Sequence, residues 1–261
     1  MINQMQKKVL ILALRAGELM MKSGAEISRV EDTVTRICKA CKIPYVEVFA
    51  TPTGIFLSLD EGSEDSDMHT FIKRIKGSSI DLEKISKINH FSREFTSTDL
   101  SIESGLTILK DISNIKPYPL LLRIFGAALV SSFFALIFQG NINDFFCSFF
   151  IGACSYVLSV LLDKIDTNLF IRGFCCCAFA TFLAMGFFSV HLGSNLSAVI
   201  IGSVMIFLPG VALTNAVRDT LEGDMLSGAS KGLEAIIIAI SIASGVGVAI
   251  KIWTLLGGTF L

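Results

Sequence analysis

The sequence of 261 residues is 52% apolar and carries a net charge of −1, with 22 basic and 23 acidic residues. This balance argues against a nucleic-acid partner, which would require a basic patch. The seven cysteines do not suggest an extracellular disulfide framework, because three of them are consecutive, at 175–177, within an apolar run.

Charged and apolar residues are unevenly distributed along the chain. Residues 1–118 hold 16 of the 22 Lys and Arg and 16 of the 23 Asp and Glu, whereas 16 of the 21 phenylalanines follow residue 118. We therefore predict a soluble domain over residues 1–116 and a membrane domain over residues 117–261.

The pattern of the first 116 residues predicts a small α+β domain of order ααβββαα, in which helices cover antiparallel strands. Gly24 is expected to end the first helix with a positive φ. Ser28 and Glu31 have the spacing of a capping box that would start the second helix, and Ser101 is expected to cap the fourth. Strand-like runs cover residues 45–50, 54–59 and 68–75.

The soluble domain shows only weak chemical signals. Cys38 and Cys41 have the spacing of a redox or metal pair, but both fall on the apolar stripe of the second helix and no second pair completes a zinc site. Core packing is the favoured interpretation. Because no nucleophile elbow, metalloprotease or P-loop motif is present, we expect no enzyme activity, no cofactor and no metal.

Charged residues are dense at the start of the second helix. Helix capping and the helix dipole explain most of them, and a docking or sensing site is the alternative. The cluster consists of Glu26, Ser28, Arg29, Glu31 and Asp32.

Five apolar runs in the second half are long enough to cross a hydrocarbon core, which needs about 20 residues. They cover residues 119–138, 145–162, 169–190, 196–213 and 233–256. The predicted fold is a membrane α-helical bundle of five transmembrane helices preceded by a small cytoplasmic α+β domain.

The placement of Lys and Arg predicts the orientation of the chain in the membrane. The first and third connections contain neither residue, and Lys251, near the outer end of the last span, is the one exception to the pattern. The N-terminus is therefore predicted to be cytoplasmic and the C-terminus outside. The basic residues on the cytoplasmic side are Lys116, Arg123, Lys164, Arg172, Arg218 and Lys231.

Small residues recur at every fourth position of the last span, and small side chains let helices approach closely in lipid. Packing within the bundle and an interface with another subunit, including a higher oligomer, explain this pattern equally well. One stripe contains Ala235, Ala239, Ala243 and Gly247, and the other Ser241, Gly245 and Ala249.

The stretch over residues 206–234 concentrates helix-breaking and polar residues at the edge of a predicted span. Pro209 cannot donate to the carbonyl of Met205, and Gly210 loosens the backbone. We expect a freed carbonyl here, which would suit a gate or an ammonium site.

Several side chains after this break are candidates for a transport path. If the helix continues, Asn215, Arg218 and Asp219 share one face with Glu222. Asp219 would bind an ammonium group or carry a proton, and Arg218 would face a carboxylate. Glu234, at the head of the last span, would carry a proton or simply complement the helix N-terminus.

The alternative interpretation is a kinked helix that leaves the membrane with ordinary interfacial charges. We favour this interpretation for Glu222 and Asp224.

Two separated blocks of the sequence resemble the bacterial threonine/serine exporter family. The block near the C-terminus consists of Pro209-Gly210-Val211, Thr214-Asn215-Ala216, Arg218-Asp219, Gly223-Asp224, Ser227-Gly228 and Glu234-Ala235. The block near the N-terminus consists of Gly17, Ser23-Gly24-Ala25, Arg29-Val30-Glu31-Asp32 and Thr51-Pro52-Thr53-Gly54.

The resemblance implies a cytoplasmic domain followed by a membrane domain that exports threonine/serine-type amino acids or C4 dicarboxylates such as succinate. Export would be driven by the proton gradient across the bacterial cytoplasmic (inner) membrane. Fused members of the family carry about twice as many spans, which suits an inverted repeat. The sequence is therefore similar to the large, YjjP-like subunit of the split form, whose partner is a small YjjB-like integral membrane protein.

This resemblance also defines the expected site. The residues expected on the substrate or proton path are Pro209, Gly210, Asn215, Arg218, Asp219 and Glu234. The alternative function is a membrane-anchored enzyme or sensor in which the soluble domain is the active part.

Overall fold

The structure, a computed structural model, describes residues 4–60, 68–77 and 79–258. A short 3-10 turn, Met205–Phe207, separates the helices α8 and α9. The elements are α1 Gln4–Lys22, α2 Ile27–Ala40, β1 Tyr45–Thr51, β2 Gly54–Asp60, β3 His69–Arg74, α3 Leu82–Ser97, α4 Ile102–Ser113, α5 Leu120–Ile137, α6 Ile142–Lys164, α7 Leu169–Ser189, α8 Leu196–Val204, α9 Gly210–Leu221 and α10 Met225–Leu255.

The chain divides into two compact units. The first unit comprises residues 1–116 and 211–232, and the second comprises residues 117–210 and 233–261. The first unit therefore contains nearly all of α9 and the beginning of α10, in addition to α1–α4 and the sheet.

The sheet of the first unit is an antiparallel meander in the order β1-β2-β3. Thr51 pairs with Gly54, so that Pro52 and Thr53 form a two-residue turn between β1 and β2. Ile55 and other inward residues of the strands are buried in one apolar core with α1–α4. The predicted order ααβββαα is confirmed.

Two predicted helix ends in the first unit are confirmed. Gly24 has a φ of 82° just after α1, a backbone conformation that costs a glycine little. Ser101 caps α4, because its hydroxyl accepts the N–H of Ser104 at 3.2 Å.

The predicted capping box at the start of α2 is wrong. The helix begins at Ile27, so Ser28 lies inside it, and Glu26 occupies the N-cap position without a side-chain cap. The carboxylate of Glu31 instead accepts the N–H of Ala50 in β1, at 2.7 Å. The S-x-x-E spacing here serves helix-to-sheet contact rather than capping.

A buried carboxylate joins α1 to the sheet. Glu18 accepts a hydrogen bond from Lys22 at 2.8 Å and pairs with Lys73 of β3 and with Arg15, each at 3.3 Å. Burial raises the pKa of Glu18, but the hydrogen bonds and charges of Lys22 and Lys73 outweigh it and hold that pKa below its usual value.

The second unit is helical throughout its described elements. Four helices, α5, α6, α7 and α10, are long and apolar enough to cross a membrane. The pair α8 and α9 is bent by 61° and forms a fifth candidate span only if its two halves are taken together. A helical membrane part is thus confirmed, with four or five spans by length and composition.

One small-residue stripe of α10 packs inside the second unit. The hydroxyl of Ser241 donates to the carbonyl of Phe170 in α7 at 2.8 Å. A methyl group at Gly245 would lie 2.5 Å from the carbonyl oxygen of Phe174. The absence of a side chain at Gly245 is therefore what lets α7 and α10 approach so closely.

The other stripe of α10 is mostly open. Ala235 is buried, but Ala239, Ala243 and Gly247 are exposed. A methyl group at Gly247 would meet no atom within 4 Å. The structure thus assigns bundle packing to the first stripe and leaves this second face uncovered.

Asp144 is a buried acid of the second unit that the sequence analysis did not single out. One of its oxygens accepts the N–H groups of Ser194 and Asn195, at 2.7 and 3.0 Å. The other accepts the N–H of Asn141 at 2.9 Å, as part of a capping box for α6. Three N–H donors satisfy the carboxylate. Asp144 therefore links the α5–α6 connection to the α7–α8 connection.

The contrast between Gly245 and Gly247 can be tested by the same substitution two residues apart. We expect Gly245→Ala to destabilise the protein by about 1–3 kcal/mol, because the added methyl group overlaps backbone that cannot move freely. Gly247→Ala should leave thermal stability in detergent almost unchanged. Equal melting temperatures for the two variants would contradict this packing.

Candidate functional site

Residues 211–232 of the C-terminal sequence block fold into a helical hairpin of the first unit. Gly223 makes the turn after α9, with a φ of 99°. A methyl group at Gly228 would lie 2.1 Å from the hydroxyl of Thr220 and 3.0 Å from the carbonyl of Ala216. Only glycine therefore lets the start of α10 pack this closely on α9.

Three consecutive contacts hold this hairpin against the turn between α1 and α2. The amide of Asn215 donates to the carbonyl of Gly24 at 3.0 Å. Arg218 forms an ion pair with Glu26. Asp219 accepts the N–H of Ile27, the first residue of α2, at 3.2 Å.

Asp219 thus takes over a role that the N-cap residue usually fills. The first N–H groups of a helix have no partner within the helix, and a carboxylate near them is stabilised by the helix dipole. Since Glu26 makes no side-chain cap, the carboxylate that meets Ile27 comes from 192 positions along the chain. The predicted face of α9 is confirmed for Asn215, Arg218 and Asp219, which the structure brings together on this turn.

The surroundings of Asp219 leave its charge incompletely compensated. The residue is fully buried, and its second oxygen has no hydrogen-bond partner among the described residues. Lys231 attracts the carboxylate, whereas Asp224 and Glu222 repel it. A buried charged oxygen without a partner is costly, and among the described carboxylates Asp219 is the one with such an oxygen.

Glu31 extends this acidic region towards the sheet. Burial raises the pKa of Glu31 above its usual value, the N–H of Ala50 lowers it, and the charge of Asp224 raises it further. Glu26 differs, because Arg29 at 3.2 Å and Arg218 both compensate it. Within the charged cluster at the start of α2, Glu26 pairs with α9 through Arg218, whereas Glu31 binds β1 and Asp32 pairs with Arg36 of the same helix.

The expected free carbonyl next to Pro209 is not found. The carbonyl of Met205 accepts the N–H of Leu208 at 3.2 Å, because the chain tightens into a 3-10 turn before the proline. Leu208 is extended, with a ψ of 138°, as proline favours for the residue before it. Pro209 and Gly210 therefore act here as a bend, and the predicted fourth span over 196–213 covers α8 and the start of α9, a pair of helices bent by 61°.

Glu234 does not lie at the head of the last helix. That helix begins at Met225, which places Glu234 in its third turn, where the helix N-terminus no longer compensates its charge. Its side chain is exposed. Pro209, Gly210 and Glu234 belong to the second unit, whereas Asn215, Arg218 and Asp219 belong to the first.

The cysteine pair of the first unit lies in or against its apolar core. Cys38 is fully buried, and burial raises the pKa of its thiol to about 12. Within residues 4–60, 68–77 and 79–258, no three His, Cys, Asp or Glu are arranged to hold a metal ion.

Comparison with known proteins identifies the family. The family model described as "Putative threonine/serine exporter" (ThrE) matches residues 11–253. The chain belongs to the threonine/serine exporter family. Members of this family are membrane exporters rather than enzymes, in agreement with the sequence analysis.

Three curated relatives cover different proportions of their own length. The chain is 22% identical over 246 residues to a "Probable threonine/serine exporter" of Mycobacterium tuberculosis, and it spans 46% of that protein. It is 24% identical to proteins of Klebsiella aerogenes and Escherichia coli, each named "Probable succinate transporter subunit YjjP", and spans 96% and 99% of them. No solved structure matches the chain.

The Asn215 contact predicts a pH-dependent defect in an isosteric variant. In Asn215→Asp the introduced carboxyl group can donate to the carbonyl of Gly24 only when it is protonated. We expect docking of α9 to be weakened by about 1–3 kcal/mol at neutral pH, with the loss diminishing as the pH falls. Protease sensitivity of residues 211–224 measures it.

Asn215→Leu is the control for this experiment, since it removes the donor at every pH. A defect of Asn215→Asp that stayed constant from neutral to acidic pH would contradict the proposed contact.

Proposed function

We propose that this member of the threonine/serine exporter family is one subunit of a proton-driven secondary exporter of small metabolites. Its substrates are threonine/serine-type amino acids or C4 dicarboxylates such as succinate. It works in the bacterial cytoplasmic (inner) membrane with a small, YjjB-like membrane partner. Family membership and the names of the relatives support transport; the driving force, substrate and partner are our proposal.

The observation that carries proton coupling is the state of Asp219. A proton carrier needs a carboxyl group whose neutral and charged forms are close in free energy, and burial without full compensation brings them together. Asp219 meets both conditions, because it is fully buried and one oxygen is unpartnered among the described residues. Asp144, by contrast, has three N–H donors and is suited to a structural role.

The other site residues have supporting roles in this proposal. Arg218 and Asn215 hold α9 in register beside the α1–α2 turn, and the bend at Pro209-Gly210 lets α9 change its angle to α8. Glu234 is an exposed acid of α10 that lies three residues after Lys231 and directly before the long apolar run of that helix. In lipid an exposed acid of this kind needs a partner, and we assign that partner to the second subunit.

The open face of α10 supports the proposal that the partner is a membrane protein. Ala239, Ala243 and Gly247 form a shallow exposed strip on which another helix can pack closely. The names of two relatives describe transporter subunits, which supports assembly with a second chain. We further propose the orientation given by the Lys and Arg pattern, with the N-terminus cytoplasmic and the C-terminus outside.

Replacement of Asp219 tests proton coupling. In cells that make the chain together with its small partner, Asp219→Asn should reduce threonine and succinate efflux to background, because the amide cannot release a proton. Glu222→Gln is the matched control, an exposed acid three residues away that should retain efflux. Wild-type efflux should also stop when an uncoupler removes the proton gradient.

Two results would overturn this proposal. Normal uncoupler-sensitive efflux by Asp219→Asn, with membrane insertion equal to wild type, would remove Asp219 from the mechanism. Wild-type efflux that ignores the uncoupler would indicate a channel.

A second substitution tests the partner. Gly247→Leu fills the open face of α10 and should prevent copurification of the small partner while leaving the chain itself stable, since the side chain meets open space. Val248→Leu, at the next exposed position, is the control and should copurify normally. Equal recovery of the partner with both variants would place the interface elsewhere.

A further inference from the structure

We propose that Asp219 is a proton-binding site that clamps α9 to the α1–α2 turn, so that protonation closes the contact and deprotonation loosens it. The inference rests on the proposed function in taking Asp219 as the proton-carrying residue. It adds that the proton is detected by the soluble part of the same chain, through the N-terminus of α2.

Asp219 is fully buried in the closed contact, with one oxygen on the N–H of Ile27 and the other without a partner among the described residues. If α9 separates from the turn, water reaches both oxygens and solvates the charge. The charged form therefore gains more from opening than the neutral form does.

Neighbouring groups act in opposite directions on the charge of Asp219. Two groups favour the ionised form in the closed contact: the N–H of Ile27, at the long distance of 3.2 Å, and Lys231, which forms no salt bridge with Asp219 in the described structure. Asp224 and Glu222 favour the neutral form. Burial is the largest of these effects and raises the pKa of Asp219 above its usual value in the closed contact.

The remaining charged groups near the contact are compensated separately. Arg218 and Arg29 both pair with Glu26. Among the described neighbours, Glu31 is the second candidate for the group that binds the proton. Burial raises its pKa, but its carboxylate binds Ala50 of the sheet rather than α9.

The stability of the closed contact depends on pH. A group that binds a proton more tightly in the closed state stabilises that state at low pH, and this stabilisation is lost as the pH rises. The clamp is therefore closed under acidic conditions and opens as Asp219 ionises. The bend at Pro209-Gly210, where α9 begins, gives the backbone freedom for this movement.

Hydrogen exchange on the full chain in lipid nanodiscs tests the clamp without substrate or partner. The readout is the protection factor of residues 24–30 and 211–221, which is the intrinsic exchange rate divided by the observed rate at the same pH. In the wild type we expect protection to fall as the pH is raised from about 4, the ordinary pKa of an aspartic acid, to about 8, because a proton-linked equilibrium changes up to tenfold per pH unit between the pKa of the open state and that of the closed state.

Variants separate Asp219 from its neighbours. Asp219→Asn keeps a carbonyl oxygen for the N–H of Ile27 and should show protection that does not change with pH. Asp219→Leu, which is apolar, should also lack the pH response even if its protection is lower throughout. Glu222→Gln and Glu31→Gln should retain the wild-type response.

Wild-type protection that is constant over this range would overturn the clamp, as would a pH response that persists in Asp219→Asn or disappears in Glu31→Gln. Because exchange is measured without transport, failure of the clamp leaves the efflux experiment as an independent test of the proposed function.

Discussion

The contact on which the first unit depends is the hydrogen bond from the first N–H of α2 to the carboxylate of Asp219. Helix N-termini need an acceptor for their free amides. Glu26 occupies the N-cap position of α2, but its side chain does not accept any of these N–H groups. The chain instead supplies the acceptor from α9. As a result, a shift of α9 removes an acceptor from the start of α2, and a shift of that helix start removes the donor that Asp219 binds.

Residues from both sequence blocks form or support this contact. Gly24 ends α1 and exposes the carbonyl that Asn215 binds. Gly223 and Gly228 shape the hairpin that brings α9 to the turn. The glycines and the polar residues therefore act together. The glycines allow the backbone to follow this path, and the polar residues hold it through specific hydrogen bonds.

In the second unit the constraint is close packing rather than charge. Hydrophobic burial contributes little between helices in lipid, so short distances between backbones must stabilise the bundle. Gly245 against α7 and Gly202 against α5 provide such distances, since a methyl group at either would overlap a neighbouring backbone atom. Asp144 adds one buried polar contact, fully satisfied by N–H donors, that fixes two connections.

Periodicity and composition were enough to predict the helices, the three strands and the apolar character of the second half, because each depends on a repeat within one segment. The bend after α8 also follows from local sterics, because proline restricts the residue before it, and the sequence analysis expected a break at Pro209-Gly210. The spacing of Ser28 and Glu31 suggested a cap because the sequence cannot show that β1 lies close enough to take the carboxylate of Glu31.

The sequence by itself determined that Asn215, Arg218 and Asp219 share a helix face, since their spacing follows the helical repeat. Only the tertiary structure decided what that face meets, because Gly24, Glu26 and Ile27 lie about 190 positions away in the chain. It also decided that Asp219 is buried with an uncompensated oxygen. Burial is a property of the surrounding elements, and no local pattern records it.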